Sequence, residues 1–455
     1  MAMQTPSPPI VVPVTSSSGR AVRVGGGPTD PSHDENLRRG ILHTDVARPV
    51  AMSLVMIFIA AISLVPVAQA VRDKVAGEPS VLLDLFRHAP TKDNLRQFEQ
   101  DLDGASTPRE WARAHLQTMF VRLGHFGNGK VVVGRTPGWL FYGPGVTAVG
   151  GLGFLDPGVQ ATRQKDALDA GNPPLFPDPR PAILDFSRYL ARRGIRLVIF
   201  PVPDKASLQP RELHGRSADM PAKNPDADRF VADMRREGIV VFDPTPSLLP
   251  DSGSPIFLQQ DTHWTPAWME SVARALASSL EKDLGLPRPA TPRHFAVRQA
   301  QLSRLGDLTD MLRLPPGQTL LAPESVTLHE IHDPVGKLFE PSEDAQVLLL
   351  GDSFTNVFSL DQMGWGEGAG FAAQLAKELG RDVDVIAQND AGASATRQLL
   401  ANALAAAEPG APDRLANKRV VVWEFASREL AVGNWKPIAW PSGATPPPPE
   451  RPAQP

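Results

Sequence analysis

The run Val347-Leu-Leu-Leu-Gly351-Asp352-Ser353 places a hydroxyl directly behind an apolar stretch, and ninety residues upstream the chain reads Asp261-Thr262-His263-Trp264. An apolar run closed by Gly-Asp-Ser has the pattern of a strand that presents a side chain at the edge of a sheet. Asp-x-His supplies a base and a carboxylate that orients it. Together they contain the three members of a Ser-His-Asp nucleophilic site. The chemistry such a set performs is acyl transfer or ester hydrolysis. Ser353 is the candidate nucleophile, His263 the general base and Asp261 its orienting acid. Asp352 reads as structural, its carboxylate placed to accept loop N–H groups.

These residues meet only if the elements around them are right. Asp261 and His263 project to one side only on an extended chain. The chain is expected to stay extended there, because Thr265-Pro266 is a helix start with Thr as N-cap and Pro at the first helical position. The helix that follows carries Val272, Leu276 and Leu280 on one face and stops near Gly285. Other periodic segments alternate with apolar runs. Helices are predicted at 182–193, 227–236, 372–379 and 395–407, with Gly194, Gly238 and Gly380 as stops. Strands are predicted at 195–200, 239–242, 347–350, 383–387 and 419–425. Strands that alternate with helices predict an α/β fold, a parallel sheet with helices on both faces. Sites in such folds lie at the carboxyl ends of the strands. Residues 130–133 and 138–141 read as a hairpin leading into the core, and 287–344 as an irregular insertion or lid.

A Ser nucleophile also needs oxyanion donors. The Ser353 backbone N–H at the mouth of a following helix is one. The Asn389 side chain, behind another predicted strand, is a second candidate, against the reading of a turn Asn. Arg428, just past the last strand, would contact an anionic substrate or brace its loop. His329-x-x-His332 lacks a placed third ligand, so no metal is called for. The glycines at 364, 366, 368 and 370 do not follow a strand and make no dinucleotide fingerprint, so no cofactor is called for; they are expected to flex beside the site. Trp264, Trp365 and Trp435 would stack on sugar rings or pack in the core.

Composition bounds the rest. The chain has 455 residues and a net charge of -4, so no overall basic field argues for nucleic acid. It has no cysteine, which excludes disulfides and thiolate chemistry. Residues 49–71 form 23 positions without a charge, long enough to cross a bilayer as a helix. Two readings stand: an uncleaved anchor, favoured because 48 residues is a long leader, or a signal cleaved after Ala70 in Ala68-Gln69-Ala70. The folded part then lies beyond the membrane. Residues 1–48 and the Pro-rich 441–455 are expected to be disordered.

Asp261-Thr-His-Trp264 followed by Gly351-Asp-Ser-Phe354 resembles the SGNH-hydrolase-like (flavodoxin-like) domain of the AlgX/AlgJ polysaccharide O-acetyltransferases. Supporting segments are Val133-Gly-Arg-Thr-Pro-Gly-Trp-Leu-Phe141, Pro203-Asp-Lys-Ala206, Gly306-Asp-Leu-Thr-Asp-Met-Leu312 and Trp423-Glu-Phe-Ala-Ser-Arg-Glu-Leu430. The order Asp-x-His before Gly-Asp-Ser is permuted relative to ordinary SGNH hydrolases. The resemblance implies one catalytic domain over 80–435, closer to the membrane-anchored AlgJ-like members. It assigns the same roles to Ser353, His263 and Asp261. It also implies acetyl transfer to an exopolysaccharide of alginate or cellulose type in the periplasm. The implied setting is the bacterial inner membrane, with a membrane-bound O-acyltransferase as acetyl-donor partner beside other polysaccharide export proteins. A carbohydrate acetylesterase with the same triad and a non-catalytic polysaccharide-binding scaffold are the alternatives.

Overall fold

The structure, a computed structural model, describes residues 47–441 other than 78, 80, 83–86, 88, 106, 125, 216–220, 249–254, 390–393 and 408–412. The segments expected to be disordered, 1–48 and 441–455, lie almost wholly outside the described residues. The chain forms two compact units, Met1–Pro108 and Arg109–Pro455. In the first, Arg48–Ala76 is a 29-residue helix that includes the uncharged stretch and ends at Gly77 in the left-handed region. Its apolar side chains, among them Met52, Ile57 and Phe58, are exposed. The helix is long and apolar enough to cross a membrane.

Among its described residues the second unit holds nine strands: β1 (Val131–Val133), β2 (Leu140–Tyr142), β3 (Arg196–Val202), β4 (Val240–Val241), β5 (Ala296–Arg304), β6 (Glu324–His332), β7 (Val347–Gly351), β8 (Asp384–Ala387) and β9 (Val420–Ala426). Five of them make one parallel sheet, in the order β4-β3-β9-β7-β8. β7 and β9 are buried along their whole length, as a sheet covered on both faces requires. Alternate residues feed two cores. Val198, Phe200, Leu349 and Val422 pack with helices Pro266–Lys282 and Phe371–Leu379. Leu197, Ile199, Leu350 and Trp423 pack with helices Pro179–Ala191, Ala227–Arg236 and Ala395–Ala405. The α/β architecture expected from the sequence is therefore the one observed.

Two differences have physical reasons. The first flanking helix starts at Pro179 rather than at 182, capped by Asp178, whose carboxylate accepts the Arg180 N–H at 3.0 Å. Pro179 and Pro181 look like breakers, but the first-turn N–H groups have no helical partner to lose. The segment 287–344, expected to be irregular, contains a regular antiparallel ribbon in which β5 and β6 pair over nine positions, from Ala296↔His332 to Arg304↔Glu324. Most of β5 is exposed, so it shows no alternation of apolar and polar residues for sequence reading to detect. The hairpin expected near 130–141 is present as β1 and β2.

Leu276, fully buried in the helix Pro266–Lys282, reports on the core behind the Asp-x-His loop. Leu276→Ala should lower unfolding free energy by about 2–5 kcal/mol in a denaturant titration, since the cavity is walled by helix and sheet.

Candidate active site

The Asp261–His263 loop is built to stay extended. A bridge joins Phe257 to Trp264, and the Leu258 N–H donates to the His263 carbonyl at 3.1 Å. Thr265 caps the helix that follows, with Pro266 at its start. Trp264 anchors the exit of the loop in the core, fully buried against Phe354 at 5.3 Å. The loop's entrance is held by Lys205, just past β3. Its ammonium donates to the carbonyls of Leu258 (2.5 Å), Gln259 (2.9 Å) and Asp261 (3.1 Å). Burial lowers the Lys205 pKa to about 7, although Asp261, Glu324 and Asp307 pull it upward.

Within this loop Asp261 Oδ1 accepts from His263 Nδ1 at 2.6 Å and from the His263 N–H at 3.0 Å. Oδ2 accepts from the Asp307 N–H at 3.0 Å and from the Trp365 indole N–H at 2.9 Å. Asp307 in turn accepts from the Thr262 N–H and hydroxyl, both at 2.8 Å. This close approach requires Gly306, because a Cβ there would lie 2.3 Å from the Gln260 carbonyl oxygen. Burial pushes the Asp261 carboxyl up, but the charge of His263 and four hydrogen bonds more than offset it, so the pKa falls below the usual range. For His263 burial favours the neutral ring, yet the charge and hydrogen bond of Asp261, with Asp307 and Asp352 adding to them, raise its pKa above the ordinary value. Asp307 is raised to about 6 by burial and then by the charge of Asp261.

Asp261, His263 and Asp307 hold ligand-type atoms within 4.8 Å of one another. Every carboxylate oxygen among them already accepts a protein donor, and Nδ1 is committed to Asp261. The set suits an oriented base better than a metal cage. His329 and His332 are apart from it: His329 Nδ1 contacts Glu270 at 2.7 Å and His332 Nδ1 the Gly336 carbonyl at 3.1 Å.

Ser353 follows β7 at the carboxyl edge of the sheet, opening the short helix Ser353–Asn356. Asp352 is structural, as expected: Oδ1 accepts the Phe354 N–H and Oδ2 the Ala426 N–H, each at 2.8 Å. The Phe354 ring lies 4.9 Å from the His263 imidazole, so the residue after Ser353 packs on this ring. His263 Nε2 is buried and has no hydrogen-bond partner among the described residues. Ser353 and His263 thus share one buried corner without a direct bond, and catalytic hydrogen bonds often tighten only when substrate is present.

Asn389 sits beside this corner. Its Oδ1 accepts from Asn356 Nδ2 at 2.8 Å, and its own amide points at the weak acceptor Met363 Sδ at 3.1 Å. Arg428 is buried and pairs with Asp204 at 3.5 Å. Its guanidinium lies 5.1 Å over Tyr142 and 5.9 Å over Phe354, which braces the segment beside the site. Trp264, Trp365 and Trp435 are each at most 2% exposed, so none is open to stack on a sugar. Trp365, delivered by the glycine-rich segment, instead fixes Asp261. Sequence reading noted Lys205 and Asp307 only within segments of family resemblance and missed their roles and that of Trp365, because all three act through contacts distant in the chain.

The sign of the Asp261 effect is testable directly. A carboxylate bonded to Nδ1 favours the imidazolium, so the His263 signal in ¹³C-histidine-labelled protein should titrate above the ordinary pKa of about 6.5. In Asp261→Asn only burial and the weaker neighbours remain, and the midpoint should drop. A midpoint unmoved by that change would show that the bond does not control the ring.

Residues 131–427 match the family described as SGNH hydrolase-like domain, acetyltransferase AlgX. The chain is 37% identical over 134 residues to a probable alginate O-acetylase AlgJ of Pseudomonas aeruginosa, covering 28% of this chain and 33% of the relative. A protein of the same name from Pseudomonas syringae pv. tomato is 27% identical over 259 residues, covering 54% and 60%. The chain thus spans between a third and three fifths of the length of these relatives. Among solved structures, the O-acetyltransferase domain of Pseudomonas putida AlgJ aligns with a TM-score of 0.47 at 24% identity, covering 67% of this chain and 93% of that one. Pseudomonas aeruginosa AlgX aligns with a TM-score of 0.42 at 22% identity, covering 67% and 62%. With the family match extending over well more than half of its length, from β1 to just past β9, the chain belongs to the AlgX-type SGNH hydrolase-like acetyltransferase family.

Proposed function

We propose that this protein is an O-acetyltransferase that carries an acetyl group on Ser353 and passes it to hydroxyls of an extracytoplasmic polysaccharide. The observation that carries the reading is the state of His263. Its Nδ1 is locked to Asp261, while its buried Nε2 is free to exchange a proton. Family membership supports the acyl group, and the names of the AlgJ relatives support an alginate-type acceptor. The apolar helix Arg48–Ala76 suits an anchor in the inner membrane with the catalytic unit in the periplasm. There it would draw acetyl from a membrane-bound O-acyltransferase and work beside other polysaccharide export proteins.

The chemistry is a two-step exchange. In the first step His263 Nε2 takes the Ser353 hydroxyl proton as Oγ bonds to the acetyl carbonyl carbon. The donor's leaving oxygen then departs with that proton. In the second step Nε2 takes the proton of a sugar hydroxyl, whose oxygen bonds to the acetyl carbon. The Ser353 Oγ–acetyl bond breaks and the proton returns to Oγ. Asp261 keeps Nδ1 protonated and stabilises the imidazolium formed in each half. The Asn389 NH2 group, which donates to a thioether while its Oδ1 accepts from Asn356, is the side-chain donor suited to turn toward the oxyanion.

Hydrolysis of a chromogenic acetate ester tests the first step. Ser353→Ala and His263→Ala should each lower kcat by about 10³-fold or more, leaving the residual rate that binding alone supports. Full activity in either variant excludes the assignment. The base acts only when neutral and its pKa is raised, so kcat/KM should fall as pH drops through a value above about 6.5. With an added oligosaccharide as acceptor, a transferase yields acetyl sugar at the expense of free acetate. Acetate release unchanged by added oligosaccharide would make the enzyme an esterase.

A further inference from the structure

β9 reads Val-Val-Val-Trp-Glu-Phe-Ala and is buried throughout, yet its fifth residue is an acid. Glu424 is wholly buried. No salt bridge or base compensates it among the described residues. Its Oε2 accepts the Asp352 N–H at 3.0 Å and the Thr355 hydroxyl at 2.7 Å. These two donors lie on either side of Ser353. The acid is admitted by Gly351, where a Cβ would stand 2.2 Å from Thr355 Oγ1 and 3.0 Å from Glu424 Oε2. The Asp352 carboxylate closes the arrangement by accepting the Ala426 N–H of the same strand as Glu424. β9 therefore grips the Ser353 turn twice, once through Glu424 and once through Asp352.

We infer that Glu424 is the positioning residue of the nucleophile: a buried acid of which one oxygen clamps Asp352 and Thr355, on either side of Ser353, and so sets the direction of its hydroxyl. This rests on the reading of Ser353 as nucleophile. Burial first, and then the charge of Asp352, push the Glu424 carboxyl well above the usual range. Burial without a compensating cation therefore favours the neutral acid over the carboxylate. An amide of the same length, which also offers one acceptor oxygen, should replace it.

The experiment measures labelling of the full chain by a sulfonyl fluoride, with turnover of a chromogenic acetate ester alongside. Loss of labelling in Ser353→Ala establishes the nucleophile independently of Glu424, and labelling that persists there removes the nucleophile reading itself. With the nucleophile established, Glu424→Gln should keep the labelling rate and kcat within about threefold. Glu424→Leu should lose about 100-fold in kcat with KM nearly unchanged, the scale of loss from a misplaced reacting group. Thr355→Val removes one arm of the clamp without enlarging the site, and should lose about tenfold even if the leucine variant folds poorly. Equal losses in the glutamine and leucine variants, or wild-type kcat in Thr355→Val and Glu424→Leu, would overturn the assignment.

Discussion

The hydrogen bond between Asp261 and His263 joins residues only two apart, and most of the surrounding structure serves to make it possible. On a helix these side chains would point in different directions. The chain must stay extended to His263 and turn helical only at Pro266, as Thr265 and Pro266 enforce. The pair is also buried, and buried charge is costly unless each lone pair finds a donor. Both oxygens of Asp261 are filled, two bonds coming from His263, one from Asp307 and one from Trp365. The ribbon region, which contributes Asp307, and the loop before the helix Phe371–Leu379, which contributes Trp365, are thereby tied to one carboxylate.

The sheet supplies the other half of the constraint. Adjacent strands β3, β9 and β7 end at one edge, and each delivers part of the site directly after its last residues. β3 leads to Asp204 and Lys205, β9 to Ser427 and Arg428, and β7 to Asp352 and Ser353. The groups are linked across strands. Asp204 accepts the Ser427 hydroxyl at 2.7 Å and pairs with Arg428, and Arg428 lies over the ring of Phe354. Parallel strands with evenly spaced bonds keep these ends in register, which is why such sheets place sites at their carboxyl edge.

How far the sequence revealed this follows from the range of each interaction. Parallel strands buried on both faces announce themselves as apolar runs, so β3, β7, β8 and β9 were legible, as were helices closed by Gly194, Gly238 and Gly380. The Ser353, His263 and Asp261 positions were legible because two of them are neighbours and the third follows a strand. The ribbon of β5 and β6 was not, since β5 is mostly exposed and carries no sustained hydrophobic period to mark it as the partner of β6. Trp365 was read as a platform or as packing, whereas its indole donates to an acid 104 positions away. Glu424 did leave a mark, a lone acid inside an apolar strand, but its purpose appears only when β7 lies beside β9.

The same geometry explains why the three proposed catalytic residues would not by themselves choose between sugar and water. Ser353 is 6% exposed and His263 2%, so an acyl group carried on Ser353 would have little contact with solvent. Water is small enough to reach it with little room. A sugar must carry its hydroxyl to the same point while its ring remains outside, which costs translational and rotational freedom that contacts around the rim must offset. Transfer therefore depends on acceptor contacts beyond Asp261, His263 and Ser353. On the proposed reading Asp261, His263 and Ser353 carry the acyl group, and the surface around them selects the hydroxyl that receives it.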